Sequence, residues 1–434
     1  MMHYLYKNVV EGQKLLPLDQ NHLYTFAEEM SDVGILGHNH TGIALGPHLL
    51  SRHLLTLGAI GSGKSNTLYH LVRAIRKVMT DRDSLIFFDA KGDYLRYFRR
   101  PRDIVISPQS GLATERWNLY QEILATPLDE RDQTIREIAA SMFQHLIERS
   151  QSPVFPSGAR DILYALLTAH TRSTDAWNNQ RLRDFISRSA IPELRQTIEA
   201  HDDLRWVLSY MMSDKGATTQ SYVSPLYQAV QELLAGEFGK AGQFSMRGFV
   251  KNGAGRALFL EYDLANANVL SPIYSLLLDL AMKEMLGRTE EDEPRHTYFV
   301  LDEFPLIPPL NYLENALNFG RSLGVRVIAG IQNAAQVEDK YGPSGAQSLL
   351  AGFGTVMAFR LFDEASRRII QQRHGIHKLG VGYMASNAQK GVVDQIVDGH
   401  VIEDWDISAL DTGMAIVSLP TGEPFLFRPL LYGD

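Results

Sequence analysis

One eight-residue stretch constrains this chain more than any other: Gly58-Ala59-Ile60-Gly61-Ser62-Gly63-Lys64-Ser65. It matches G-x-x-x-x-G-K-[ST], which a chain of this length meets by chance on the order of one per cent of the time at ordinary residue usage. The flanks narrow the reading further. Arg52–Leu57 has a short strand pattern, and Asn66–Met79 has helical spacing. Ser84–Asp89 then reads as a buried parallel strand, a continuous apolar run with an acidic end. Strand, glycine loop, helix and strand make one βαβ unit, so the expected class is α/β.

The residue types in the loop suit a phosphate. Glycines at 61 and 63 let the backbone wrap an anion with N–H groups, at a helix N-terminus that adds positive potential. Lys64 reaches β- and γ-phosphates, and the Ser65 hydroxyl ligates Mg²⁺. The whole run of Gly58, Ala59, Ile60, Gly61, Ser62, Gly63, Lys64, Ser65 and Asn66 is expected to hold ATP. Such a site also needs an acid at the end of a neighbouring strand for the Mg²⁺ shell. Asp302, closing the apolar run Tyr298–Leu301, fits that place as a Mg²⁺ ligand, and Glu303 beside it can polarise an attacking water as general base. Lys64 and Asp302 stand 238 positions apart, which an inserted domain explains.

That insertion is legible in the periodicity. Thr126-Pro127-Leu128-Asp129 offers an N-cap, a proline at N1 and an acid at N3, and apolar residues from Ile135 to Ile147 recur at helical spacing. Further helices are expected at Ala159–His170, Pro192–Ala200, Leu204–Met212 and Tyr222–Leu234, with no strand from about 126 to 242. Strands return at Arg256–Tyr262, Val325–Ile331 and about Thr355–Leu361. Arg288–Arg295 reads as a charged surface loop, and Met414–Leu419 and Glu423–Leu431 as strands of a closing tail. The expected organisation is a short β-rich N-terminal segment (1–50), a nucleotide-binding domain in two pieces (51–125 and 243–434) and an all-α inserted domain (126–242).

Composition excludes other classes. Apolar residues at 45% and charged residues at 21% rule out a disordered chain. Lysine and arginine total 42 against 50 acids, a net charge of −8, so a uniformly basic nucleic-acid binder is not expected, although a local basic strip is allowed. There is no cysteine, hence no disulfide framework, Cys-based zinc site or thiol catalysis. The most apolar stretches, Val269–Met282 among them, fall short of the ~18 uninterrupted residues of a membrane span. Met1–Gln13 carries no signal-peptide core, and a cytoplasmic protein is expected.

Four segments together resemble the type IV secretion and conjugation coupling proteins, within the FtsK–HerA superfamily of ring-forming P-loop ATPases. They are His53–Ser65; Phe88-Asp89-Ala90-Lys91-Gly92-Asp93; Phe299–Phe304; and Gly320-Arg321-Ser322-Leu323-Gly324-Val325 with Ala329–Gln336 and Tyr341-Gly342. The resemblance covers roughly 42–125 and 250–434. It implies a RecA-like P-loop NTPase domain with an inserted all-α domain, Mg²⁺-dependent and DNA-stimulated ATP hydrolysis, and a homo-hexameric ring that moves DNA. A relaxase, a secretion channel or an effector would be the partner. It also implies that Gln332 senses the γ-phosphate and that Arg321 reaches into a neighbouring subunit's ATP, with Arg360 and Arg367 as further candidates for that trans role. Membrane-bound members carry two N-terminal transmembrane helices; none is expected here, so any place at the inner membrane would come through partners. Two other functions fit the same residues. One is an ATP-dependent adaptor recruiting protein cargo to a secretion channel, and the other a HerA-like partner of a nuclease or effector in DNA processing or defence.

Weaker signals complete the reading. Thr67–Arg102 holds nine basic residues against four acids, and Arg96-Tyr97-Phe98-Arg99-Arg100 interleaves bases with aromatics as single-strand contacts do. A solvated helix face and loop reads equally from the same residues, but in a ring such loops converge on one channel. Lys91 and Asp93 follow the strand ending at Asp89 and read as either a structural turn or a functional one. His38-x-His40 and His374-x-x-His377 lack the helix-plus-acid context of a hydrolytic zinc site, so no metal beyond Mg²⁺ is expected.

Overall fold

The computed structural model describes residues 4–18, 24–26, 33–38, 41–265, 267–289, 295–384 and 392–433. His40 and most of the Arg288–Arg295 loop lie outside the described residues. The chain divides into two compact units. The first comprises Met1–Met79, Phe299–Leu306 and Leu317–Asp434, and the second Thr80–Tyr298 and Ile307–Ala316.

In the first unit, strand Leu54–Leu57 is central. It runs parallel to Val325–Ile331 on one side and to Thr355–Ala358 on the other, with Leu57 opposite both Ile331 and Ala358. Every residue of these three strands is buried. Strands covered on both faces favour apolar side chains, which is why these read as mostly apolar runs. The buried Arg326 is the charged exception, and its guanidinium donates to the carbonyls of Arg321 (3.1 Å) and Val325 (2.8 Å). Ala415–Ser418 and Phe425–Phe427 continue the sheet antiparallel beyond Thr355–Ala358. On the other side of Val325–Ile331 comes the Phe299–Leu301 end of strand Thr297–Leu301. One strand therefore separates the glycine-loop strand from the acidic strand, the RecA-like arrangement. Parallel strands bring their C-terminal ends to one edge, where open α/β sheets bind ligands.

The N-terminal residues are shared between two small sheets. Tyr4–Glu11 pairs antiparallel with Ile376–Met384, which pairs in turn with Val392–His400. Tyr24–Phe26, Gly34–Leu36 and Thr41–Ala44 make a separate three-stranded sheet. The tail strands are shorter than their apolar runs, covering only Ala415–Ser418 and Phe425–Phe427.

The second unit holds three parallel strands in the order Ser84–Asp89, Arg256–Glu261, Ile104–Ile106, with Asp89 opposite Glu261. Its remainder is helical from Leu119 to Asn252, the longest elements being Arg131–Arg149, Val154–Arg172 and Ala217–Leu233. Asp202–Met211 is a 3₁₀ helix where an α-helix was expected. The helices and these strands share the second unit. Buried polar contacts tie the entry and exit of the helical segment together. The fully buried Glu122 carboxylate accepts from Trp117 Nε1 (2.9 Å), Ser245 Oγ (2.8 Å) and the backbone N–H groups of Met246 and Arg247. Burial pushes this carboxyl up, and these donors oppose that shift. Removing any one partner would leave a buried polar group unmade, which costs about 1–3 kcal/mol. Among the described residues, no helix is long and apolar enough to cross a membrane.

Candidate nucleotide site

Beyond Leu57 the chain turns back over the strand end before helix Lys64–Val78 begins. The turn is stitched to both flanking strands: Gly58 N–H donates to the Ile331 carbonyl (3.2 Å) and Ala59 N–H to that of Arg360 (3.0 Å). Ser62 N–H closes the turn onto the Ala59 carbonyl (3.2 Å), and Gly413 N–H caps it from outside through the Ser62 carbonyl (2.9 Å). Gly61 and Gly63 sit at φ +73° and +116°, a region a Cβ disfavours. Gly63 is the N-cap of the helix and offers no side-chain cap, so the first N–H groups face out of the helix end as an anion would require.

The side chains follow from this backbone. Lys64 is 7% exposed and donates its ammonium to the carbonyls of Gly58 and Ala59, the latter at 3.2 Å, which holds the charge over the loop. Ser65 Oγ donates to Asp302 Oδ2 at 2.9 Å. A hydroxyl and a carboxylate together are the hard oxygen set Mg²⁺ takes, so Ser65 and Asp302 fit the ion. Asp302 reaches this place because residue 330 is glycine: a Cβ there would lie 2.3 Å from the Asp302 carbonyl oxygen. Gln332, at the end of Val325–Ile331, donates Nε2–H to Glu303 Oε2 at 3.0 Å. Lys64, Ser65, Asp302, Glu303 and Gln332 thus meet at one sheet edge.

Other expected residues fall elsewhere. Asn66 spends its side chain on the C-terminal segment, donating to the Leu430 carbonyl (2.7 Å) and accepting from Tyr432 N–H (2.7 Å). Ile60 is 83% exposed at the loop tip. Arg321 lies in the exposed turn between helix Leu313–Phe319 and strand Val325–Ile331, at the strand end away from Gln332. That strand alone puts about 20 Å between the two at roughly 3.3 Å per residue, so Arg321 does not join its own loop. Arg360 does the opposite: its carbonyl holds Ala59, and its guanidinium donates to Thr412 Oγ1 at 3.3 Å. Arg367 is committed to an ion pair with Asp404.

The basic stretch is divided between the units. Arg73, Arg76 and Lys77 sit on helix Lys64–Val78, where Arg76 is buried. Arg96, Tyr97, Arg99, Arg100 and Arg102 are exposed in the second unit, with the Arg96 guanidinium 5.5 Å from the Tyr97 ring centre. His374 and His377 use ring nitrogens on Ser418 (2.6 Å) and on the Gln13 carbonyl (2.9 Å).

Sequence reasoning passed over Glu261. It stands beside Asp89 at the ends of adjacent strands, where burial and the Asp89 charge push its carboxyl well above the usual range. Burial likewise raises Asp89, whose carboxylate accepts from Leu95 N–H at 2.8 Å and from the backbone of Lys91 and Gly92. The Lys91-Gly92 turn therefore wraps this acid. The pattern that located Asp302, an acid closing an apolar strand, also marks Glu261.

The sequence profile of the family described as "Type IV secretion-system coupling protein DNA-binding domain" matches residues 38–404. Coupling protein TraD of Escherichia coli (strain K12) is 24% identical over 387 residues, covering 86% of this chain and 52% of TraD. The chain thus spans about half the length of that curated relative. The solved bacterial conjugative coupling protein TrwBdeltaN70, in its unbound form, shares the fold with a TM-score of 0.72 at 19% identity, over 99% of this chain and 93% of that one. Plasmid coupling protein TrwB in complex with ADP and Mg²⁺ gives the same TM-score of 0.72 at 19% identity, over 99% and 95%.

Proposed function

Because this chain belongs to the family of type IV secretion-system coupling protein DNA-binding domains, we propose that it is a Mg²⁺-dependent ATPase that moves DNA through a ring of its own copies. The observation that carries the reading is the placement of two neighbouring acids at the glycine loop, Asp302 on Ser65 and Glu303 on Gln332. TrwB, which shares the fold, holds ADP and Mg²⁺.

In this reading the loop N–H groups and Lys64 bind the β- and γ-phosphates of ATP, while Ser65 and Asp302 hold Mg²⁺. The ion, when bound, neutralises charge on the phosphate oxygens. Glu303 accepts the proton of a water whose oxygen attacks the γ-phosphorus in line, as the bond to the β-phosphate oxygen breaks. Gln332 orients the Glu303 carboxylate and reports the γ-phosphate through one amide hydrogen bond. The ring, its place in the cytoplasm or at the inner membrane through partners, and a relaxase or channel as partner belong to the same proposal.

The test is ATP turnover with and without single- and double-stranded DNA. DNA should raise wild-type turnover severalfold. Lys64→Ala should abolish it, and Glu303→Gln should bind ATP while turnover falls by about 10²–10⁴, the usual worth of a general base. Turnover indifferent to DNA would favour the cargo-adaptor reading, and wild-type turnover in Lys64→Ala would overturn the nucleotide site.

A further inference from the structure

The γ-phosphate end of the site is marked by Asp302, Glu303 and Gln332. They stand at the ends of strands on one side of Leu57, with Val325–Ile331 adjacent and Thr297–Leu301 beyond. A nucleotide lying across the loop with its γ-phosphate there carries its nucleoside toward the other side, over the end of Thr355–Ala358.

Two segments there are stitched to the glycine loop. The Arg360 carbonyl takes the Ala59 N–H, and Gly413 N–H reaches the Ser62 carbonyl. Gly413 packs so closely that a Cβ on Gly63 would lie 3.1 Å from its Cα. Next to them Phe362 is 67% exposed, a large apolar ring left in solvent. The Arg360 guanidinium carbon lies 5.5 Å from the centre of that ring, and the same guanidinium is anchored by Thr412 Oγ1. A cation against one part of an aromatic ring, fixed from behind by a turn, braces the ring without covering it. An exposed ring face of this kind is where a flat heteroaromatic base stacks.

We propose that Phe362, braced by Arg360 and Thr412, is the stacking platform for the nucleobase of the nucleotide held by the glycine loop. The assignment rests on the nucleotide-site reading above. Base–aromatic stacking corresponds to roughly 5- to 150-fold in affinity.

Isothermal titration of the full chain in Mg²⁺ tests it with two probes, ADP and inorganic tripolyphosphate. Phe362→Ala should weaken ADP by roughly 5- to 150-fold and leave tripolyphosphate unchanged, since only the base has lost its partner. Phe362→Leu, which keeps apolar bulk without a π face, should also weaken ADP, and Phe362→Trp should restore it. Unchanged ADP affinity in Phe362→Ala, or an equal loss for both probes, would overturn the platform. Lys64→Ala separates the two readings: it should weaken both probes, and full ADP binding by that variant would sink the glycine-loop reading instead.

Discussion

His53 shows how much one residue can carry without a signal in the sequence. It precedes the glycine-loop strand, sits at φ +61° and is 1% exposed. Val327 N–H donates to its Nδ1 (3.0 Å), so Nε2 carries the hydrogen and donates to the Leu317 carbonyl (3.1 Å). A neutral ring satisfies both contacts. Burial pushes its pKa down to about 4, with the Arg326 charge adding to the effect. A folded-state value below the unfolded one, near 6.5, means that this stability is fully present above pH 6.5. It is lost as pH falls toward 4, and amounts to about 3 kcal/mol. The urea midpoint should therefore drop across that window. His53→Gln should show a shallower drop, with His374, also pushed down to about 4, supplying part of what remains. Equal slopes in the two proteins would show that His53 is not the titrating group. Lys64, Ser65 and Asp302 could be singled out from short local patterns, a glycine loop and an acid closing an apolar strand, and the structure brings Ser65 Oγ to Asp302 Oδ2 at 2.9 Å. The role of His53 depends on partners at positions 317 and 327, which no local pattern reveals.

At the scale of elements, the buried parallel strands were the most readable, because burial on both faces favours mostly apolar runs. Boundaries were less so. The helix after the glycine loop starts at Lys64 rather than Asn66, since the left-handed Gly63 already serves as its N-cap. The antiparallel partner of Tyr4–Glu11 lies at Ile376–Met384, a distant pairing that periodicity does not encode. Strand Val325–Ile331 carries a testable constraint. Its Gly330 leaves room for Asp302, and a methyl there would meet a backbone oxygen at 2.3 Å, which only a shift of one strand end can relieve. Overpacking of this kind costs about 1–3 kcal/mol. Gly330→Ala should lower the thermal midpoint and weaken Mg²⁺-dependent ADP binding together. An unchanged midpoint with full binding would show that the two strand ends part freely.

For the whole molecule the sharpest expectation concerns Arg321. It lies about 20 Å of strand away from the site edge of its own chain, so a part in hydrolysis requires a second copy. A guanidinium that stabilises a transferring phosphoryl group is worth about 10³–10⁵ in rate. Lys64→Ala and Arg321→Ala chains should each be nearly inactive alone, and mixing them should recover part of the ATPase activity. Full activity of Arg321→Ala by itself would end the idea. The sequence alone determined the α/β class, the helical segment and the residue types of the glycine loop and acidic strand end, because each depends on spacing within a short window. Tertiary structure alone decided which residues meet there. Parallel pairing of Leu54–Leu57 with Val325–Ile331 and Thr355–Ala358 brings Gln332 and Arg360 to the same edge from opposite sides. It leaves Arg321 at the other end of its strand, since where a strand ends relative to its neighbours is set by pairing register and not by composition.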